Sequence, residues 1–474
     1  MIFTSFEFLI FFLVVLVGHN LLRSRAADNW FLLFASYVFY MSWNIACGVL
    51  IMAISLVDFV VGRQLAQTTA PTVRKWWVML SIGVNLGLLG FFKYANFLTA
   101  NVGWGFQLVG IDTSRWHLDI VLPVGISFFT FQSMSYTLDV FRGRIQPCNS
   151  LRDYLLYVAF FPQLVAGPIV RAADLLPQLG KKAWASVRDV EVGLAQFGIG
   201  AVKKLVISDQ VASNVDLVFA NPGQFAAPTL LLGVLGYAVQ IYCDFSGYSD
   251  MAIGAARMMG FRFAENFQMP YSATNITEFW RRWHISLSSW FRDYVYIPLG
   301  GSRRDVHRTY LNLLLTMLLC GLWHGASWNF VLWGLVHGLG LAGHRLWTTW
   351  RRRADRRITG NVGFLGELFS RCLTLGLVLV GWILFRAQSL DSAMVYLARL
   401  VVWETSGTRV LLPYVAVALA FVAIAHLSVQ KDRNWAAELI DRPIPVRVLA
   451  FTGMLLLLVC FGASDAAPFI YFQF

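Results

Sequence analysis

Long apolar runs recur from one end of this 474-residue chain to the other, most of them about 17 to 25 residues in length. Each is long enough to cross a hydrocarbon core of about 30 Å as a helix that rises 1.5 Å per residue. Only 14% of the residues are charged, against about one-quarter in a soluble globular protein. The chain is therefore expected to be an all-α, polytopic membrane protein, which excludes a soluble enzyme or a secreted module.

Twelve runs qualify as candidate membrane spans, and a thirteenth is interrupted. The twelve lie at residues 5–21, 29–44, 46–62, 77–98, 118–140, 190–212, 228–250, 309–324, 327–349, 366–386, 410–428 and 446–463. The interrupted run, residues 154–170, contains Pro162, Gly167 and Pro168, and basic residues flank it on both sides. We expect it to enter and leave the membrane on one face. Irregular backbone at that depth is tolerated only where protein or a water-filled cavity covers it. The segment is therefore predicted to lie against other parts of the protein or to line such a cavity.

The formal net charge of +12 is explained by the positive-inside rule and does not indicate nucleic acid as a partner. With residues 154–170 re-entrant, the loops assigned to the cytoplasm hold 29 of the 38 Lys and Arg, and the opposite loops hold three. Those cytoplasmic loops are residues 22–28, 63–76, 141–153, 171–189, 251–308, 350–365 and 429–447. Both termini are then expected on the outer side of a lipid bilayer, with one integral membrane domain over residues 1–474.

The most informative segment outside the spans is amphipathic and covers residues 275–301. Its aromatic side is formed by Trp280, Trp283, Leu287, Trp290 and Tyr294, and its polar side by Arg281, Arg282, His284, Ser288 and Arg292. Asn275 followed by Glu278 predicts a helix start, and Pro298 predicts its end. One aromatic face opposite an arginine face is typical of a helix lying in the membrane interface at headgroup level, a role that needs no chemistry.

His324 is the strongest candidate for chemistry, because ionisable groups at membrane depth are costly. Basic stretches before residue 309 and after residue 349, including RRRADRR at 351–357, predict a hairpin that starts and ends in the cytoplasm. His324 then lies at its inner tip, about 24 Å of helix past Arg308. Gly321 and Gly325 beside it leave room for another backbone or a substrate. The ring is either a buried histidine bonded to a backbone carbonyl or a general base.

A second polar cluster, IYCDFSGYSDMAIG at residues 241–254, contains Asp244, Tyr248 and Asp250. The two carboxylates do not share a helix face, although a break at Gly247 could aim them together. Hydrogen bonding within a helix bundle is the alternative to an ion site. Lys203 and Lys204 are explained by snorkelling to the inner face. The chain has no HExxH motif and no carboxylates at ligand spacing, so no metal site is expected.

These segments resemble the membrane-bound O-acyltransferases, specifically the bacterial branch of alginate O-acetylation and teichoic-acid D-alanylation proteins. The resemblance covers the chain from about residue 120 to the end, with its motif core at about residues 120–350. The stretches that carry it are LPVGISFFTFQSMSYTLDVFRG, FFPQLVAGPIVR, YCDFSGYSDMAIG, FWRRWHISLSSWFRDYVYIPLGGSR, LWHGASWNFVLWGLVHG, WILFRA and FIYFQF. It implies a bundle of about 11–12 transmembrane helices with re-entrant and interfacial helices around a central tunnel.

The resemblance also implies the site, with His324 as the catalytic histidine and His284 as the second motif histidine. The further candidates for substrate or tunnel contacts are Asp244, Tyr248, Asp250, Trp323, Ser288, Arg292 and Gln163. No resident cofactor is implied. The implied donor is acetyl-coenzyme A or another acyl-thioester on the cytoplasmic side of a bacterial inner membrane.

The implied acceptor is a hydroxyl on an exported polysaccharide such as alginate or cellulose, reached with a periplasmic or extracellular partner protein or glycan. Transfer of D-alanine to teichoic acid-type polymers is the alternative within this class. A transporter or flippase that uses Asp244 and Asp250 as its coupling site is an alternative of another class, and a passive scaffold is a third.

Overall fold

The computed structural model describes residues 1–303, 305–354, 363–410, 412–428, 434–462 and 469–470. Within these ranges the chain is helical, and its β-structure is limited to an isolated bridge between Phe225 and Thr408. The helices are α1 (Phe6–Leu21), α2 (Arg25–Met41), α3 (Ile45–Gln67), α4 (Pro71–Leu89), α5 (Ala95–Gln107), α6 (Ile126–Phe141), α7 (Leu151–Ala159), α8 (Phe161–Leu164), α9 (Ala172–Leu179), α10 (Val187–Ala201), α11 (Asp209–Ala220), α12 (Ala227–Met258), α13 (Ile276–Arg282), α14 (Ile285–Phe291), α15 (Val306–His324), α16 (Trp328–Ala354), α17 (Phe364–Arg386), α18 (Leu390–Val401), α19 (Pro413–Ser428), α20 (Trp435–Ile440) and α21 (Ile444–Phe461).

Five helical segments of the described chain are long and apolar enough to cross a membrane. They are Ile45–Gln67, Pro71–Gln107, Ala227–Met258, Phe364–Arg386 and Ile444–Phe461. Phe6–Leu21 and Pro413–Leu427 are apolar but shorter. None of the 18 residues of α21 is buried, so its apolar side chains form a surface suited to lipid contact. The expected all-helical, multi-pass membrane protein is confirmed, and the number of 11–12 crossings stays a prediction.

The helices form two compact units. The first consists of Met1–Gly198, Tyr248–Ala264 and Leu439–Arg447, and the second of Ile199–Gly247, Glu265–Glu438 and Val448–Phe474. The second unit contains both candidate histidines. The prediction that residues 1–474 act as a single domain stays a prediction. The predicted loops at 350–365 and 429–447, the RRRADRR stretch and the terminal FIYFQF lie partly outside the described residues.

The first unit holds the interrupted segment at residues 154–170. Its helix α7 ends at Ala159, α8 contributes a single turn, and residues 165–170 are not helical. Every residue from 156 to 170 is buried, so irregular backbone is covered by protein as expected; its re-entrant course stays a prediction. The predicted span at residues 118–140 is wrong in its first part. Pro123 and Gly125, with φ +76°, delay the start of α6 to Ile126.

The second unit contains the predicted hairpin, since α15 ends at His324 and α16 begins at Trp328. Glycines allow the two helices to approach closely. A Cβ at Gly321 would lie 2.2 Å from the carbonyl oxygen of Phe330, and one at Gly334 would lie 2.4 Å from that of Met317. Small residues at such a seam are the usual means of tight helix packing in membranes. His324 therefore lies at the end of a helix, α15, whose backbone packs closely against that of α16.

Candidate active site

His284 lies at a break in the segment that was expected to be one interfacial helix. Asn275 accepts a 2.8 Å hydrogen bond from the amide of Glu278 and caps α13, which confirms the predicted helix start. However, α13 ends at Arg282, and His284 adopts a left-handed conformation with φ +43° before α14 begins. The prediction of a continuous helix is therefore wrong.

The expectation that the aromatic side of this segment faces lipid is also wrong, whereas its headgroup-level depth stays a prediction. The aromatic side is buried within the protein rather than facing lipid, and it consists of Trp280, Trp283, Leu287, Trp290 and Tyr294. The His284 ring is completely buried as well. Its position is set by Asn266, whose carbonyl oxygen accepts the amide of Ile285 at 2.9 Å. The chain turns at His284 because a neighbouring loop, and not a helical carbonyl, satisfies this amide.

The hydrogen bonds around His284 specify its tautomer. Its Nδ1 lies 3.3 Å from Oδ1 of Asn266, and the same oxygen accepts the amide of Ser286 at 3.1 Å and its hydroxyl at 2.9 Å. An amide oxygen can only accept, so Nδ1 carries the proton and Nε2 keeps a lone pair. Burial lowers the pKa of the His284 ring to about 3. The ring is therefore neutral at pH 7 and is a weak base.

His324 is the last residue of α15 and is only 3% exposed. Aromatic rings from three helices surround it, with centroid distances of 4.8 Å to Trp333, 5.0 Å to Trp323 and 5.2 Å to Phe385. The Trp323 ring also lies 6.2 Å from the ring of His284. The structure thus brings His324, His284 and Trp323 together in one apolar cluster.

The glycines beside His324 do not leave room for a substrate. A Cβ at Gly325 would lie 2.0 Å from the ring of Phe330, and Gly321 is approached by the backbone of α16. Of the two expected occupants, a second backbone is therefore observed at Gly321, while a protein side chain fills the space at Gly325. Close packing of this kind holds the imidazole in place.

Asp244 belongs to a buried ion network. Its Oδ1 lies 2.5 Å from Nζ of Lys204, which also lies 2.8 Å from Oδ1 of Asp209. Lys204 belongs to a π-helical segment, Val202–Ser208, and is 3% exposed, so the snorkelling interpretation is wrong for it. This pairing explains how the lysine and the two carboxylates are accommodated inside the protein.

The expected break at Gly247 is not found, because α12 runs continuously through it from Ala227 to Met258. A Cβ at Gly247 would lie 2.7 Å from the carbonyl oxygen of Gly200. The glycine therefore serves close backbone approach and does not turn Asp244 and Asp250 toward each other.

The remaining candidates have ordinary structural contacts. In the second unit, Ser288 donates its hydroxyl to the carbonyl oxygen of Trp283 at 3.1 Å. Arg292 is 62% exposed and pairs with the adjacent Asp293. Both side chains thus have a structural partner, and substrate or tunnel contacts at these two positions stay a prediction.

Three candidates belong to the first unit. The side-chain amide of Gln163 donates to the carbonyl oxygen of Tyr157 at 2.7 Å. Tyr248 stacks on Phe3 with 4.6 Å between ring centroids. Asp250 accepts a long hydrogen bond of 3.5 Å from Gln196. Among the described residues, no group of three or more His, Cys, Asp and Glu is placed to hold a metal ion.

Sequence reasoning missed the residues that surround the two histidines. Trp333 and Phe385 lie within the stretches LWHGASWNFVLWGLVHG and WILFRA, but their contact with His324 joins residues from three helices. Asn266 lies in a loop without a recognisable motif, 18 residues before its partner His284. For Trp333 and Phe385 the only indication in the sequence was their place within these two stretches, and nothing in the sequence indicated Asn266.

Comparison with known proteins gives consistent results. The family model of the membrane-bound O-acyltransferases matches residues 144–380. A probable alginate O-acetylase of Pseudomonas putida is 39% identical over the whole of both chains. A peptidoglycan O-acetyltransferase of Helicobacter pylori is 35% identical over 80% of this chain and 75% of its own length. A teichoic acid D-alanyltransferase of Bacillus subtilis is 28% identical over 50% of this chain and 62% of its own.

Proposed function

Because the chain belongs to the membrane-bound O-acyltransferase family, we propose that it acetylates hydroxyl groups of an exported polysaccharide of the alginate type. The convergence of His324 and His284 on the ring of Trp323 is the observation that carries this proposal. Similarity to the alginate O-acetylase extends over the whole chain, whereas that to the D-alanyltransferase covers half of it. Acetyl transfer is therefore preferred to D-alanyl transfer.

The proposed donor is an acyl-thioester such as acetyl-coenzyme A, which reaches the site from the cytoplasmic side of a bacterial inner membrane. Cytoplasmic loops rich in Lys and Arg attract its phosphates. The acceptor hydroxyl belongs to a glycan, or to a partner protein that passes the acetyl group on, at the outer side. A passage between the two faces, as the family resemblance implies, stays part of this proposal.

His324 is proposed as the general base. Its imidazole takes the proton of the acceptor hydroxyl while the oxygen attacks the acyl carbon. The carbon–sulfur bond then breaks, and the same proton moves from the imidazolium to the departing thiolate. The rings of Trp323, Trp333 and Phe385 exclude water from the imidazole, which suppresses hydrolysis of the thioester. An acyl-histidine intermediate at His324 is the alternative route.

His284 is proposed to orient the acceptor. Because its Nδ1 donates to Asn266, its Nε2 carries the lone pair of the ring and has the chemistry to accept a hydrogen bond from a hydroxyl. A pKa of about 3 makes the ring unsuited to holding a proton itself. In this proposal His324 moves the proton and His284 positions the hydroxyl. His284 thus contributes by aligning the reactants and does not act as a second acid or base.

Substitution of His324 tests the proposal. The protein in proteoliposomes, supplied with radiolabelled acetyl-coenzyme A and oligomannuronate, is expected to transfer label, and H324A to lose it by at least about 10²- to 10⁴-fold. H426Q is the matched control, since His426 is also buried but bonds the carbonyl oxygen of Val422 in its own helix at 2.8 Å. Near-normal transfer by a folded H324A protein would refute the assignment of His324.

A further inference from the structure

The end of the described chain is bonded to the middle of helix α12. The amide of Ile470 donates a 2.9 Å hydrogen bond to Oδ2 of Asp244, across 226 residues of sequence. Phe469 and Ile470 are 3% and 4% exposed, and the Phe469 ring lies 5.5 Å from that of Phe245. Two consecutive residues of the C-terminal segment thus contact two consecutive residues of α12.

The carboxylate that receives this amide is buried and already carries one ion pair. Lys204 approaches its other oxygen, Oδ1, at 2.5 Å and shares its charge with Asp209. One ammonium is thus shared between two buried carboxylates. Buried charge of this kind is stable only when further hydrogen bonds satisfy it. The Ile470 amide supplies such a bond, so docking of the segment is favoured.

Phe245 connects this anchor to the candidate active site. Its ring meets the ring of His284 nearly edge-on, with 4.6 Å between centroids and an interplanar angle of 83°. On another side it contacts Phe469. All three rings are at most 3% exposed. Because a close-packed interior transmits displacement, the position of Phe469 affects that of His284.

We propose that Asp244 anchors the C-terminal segment at Phe469 and Ile470, and that this anchor positions His284 through the ring of Phe245. Asp244 and Ile470 are then positioning residues and take no part in bond making. The effect on activity rests on the proposed acyl transfer, whereas the anchor itself does not. Accordingly, two measurements test the anchor and its effect on activity separately.

Hydrogen exchange at the amide of residue 470 tests the anchor in the purified full-length protein. The D244N side chain has one carbonyl oxygen in place of two carboxylate oxygens, and Lys204 competes for it. The backbone amide of Ile470 is therefore expected to exchange about ten- to a hundredfold faster than in the unchanged protein. D209N is the matched control. It removes the other carboxylate that pairs with Lys204 but keeps the acceptor of Ile470, so exchange should stay within about threefold. Equal exchange at residue 470 in D244N and the unchanged protein would overturn the anchor.

Acetyl transfer tests the positioning effect. I470P removes the amide hydrogen without altering a charge and is expected to lower turnover about tenfold or more, while I470V keeps the amide and the activity. If both changes act through one bond, D244N and I470P together should be no worse than the more damaging single variant. Full activity of I470P would overturn the positioning role, even if D244N fails to fold. Persistent activity of H324A would instead contradict the proposed function and leave the exchange result intact.

Discussion

The substitution of Gly321 by alanine tests whether the seam between α15 and α16 holds the site. The new Cβ would lie 2.2 Å from the carbonyl oxygen of Phe330 and 3.1 Å from the amide nitrogen of Gly334, and both are backbone atoms that cannot rotate away. Restoring an ordinary contact of about 3.4 Å requires α16 to move outward by roughly 1 Å at this level. Helix α16 carries Trp333, which contacts His324 at 4.8 Å. A displacement of about 1 Å near a reacting centre can cost roughly a hundredfold in rate.

Helix propensity works in the opposite direction and has to be separated from this effect. G343A provides the comparison, since Gly343 is a helical glycine of the neighbouring helix α16 and a Cβ there would meet nothing within 4 Å. Both variants gain up to about 1 kcal/mol from replacing a helical glycine, while only G321A suffers overpacking of about 1–3 kcal/mol. Thermal unfolding in detergent and acetyl transfer in proteoliposomes measure the two effects. G321A with the stability and activity of G343A would refute the reasoning.

Two further predictions concern charged side chains of the segment at residues 275–301. Burial raises the pKa of Glu278, but hydrogen bonds from Thr274 and the Arg282 guanidinium outweigh burial and lower this pKa from 4.5 to about 2. A lowered pKa stabilises the folded state by roughly 3 kcal/mol above pH 4.5, and this stabilisation is lost as the pH falls toward 2. E278Q should therefore lower the Tm at pH 7 and lower it much less at pH 3. R292A should keep acetyl transfer within about threefold of the unchanged protein, because Arg292 is exposed and pairs with its neighbour Asp293. A tenfold loss would instead support Arg292 as a substrate contact.

Membrane character and the helices themselves could be predicted from the sequence because both depend on local patterns. Apolar runs give α17 and α21 within two residues of their observed bounds, and they give the starts of α3 and α12 within one residue but end both helices too early. The end of α15 at His324 followed from the WHG turn. Local signals also placed the cap at Asn275. These features need no knowledge of which helix lies beside which.

What could not be predicted depends on contacts between distant parts of the chain. The periodicity of residues 280–294 is the same whether the aromatic side faces lipid or protein, so burial of Trp283 and the break at His284 were missed. Lys204 looked like a snorkelling lysine, because its partner Asp244 lies 40 positions further along the chain. Gly247 suggested a break, although its function is to let the backbone at Gly200 approach. Membrane depth and flanking glycines pointed to His324, and the family resemblance added His284, but only the geometry shows what surrounds them.

The bond between Asp244 and Ile470 has a consequence for how the protein is made. Ribosomes add about 5–20 residues per second, so Asp244 waits roughly 10–45 seconds for the amide that completes its shell. Lys204 leaves the ribosome earlier and can pair with Asp244 during insertion. A chain released before residue 469 would lack both the amide that Asp244 accepts and the Phe469 ring that contacts Phe245. With the proposed anchor, the position of His284 is therefore fixed only after residue 470 has been made, when the helices before it have already been synthesised.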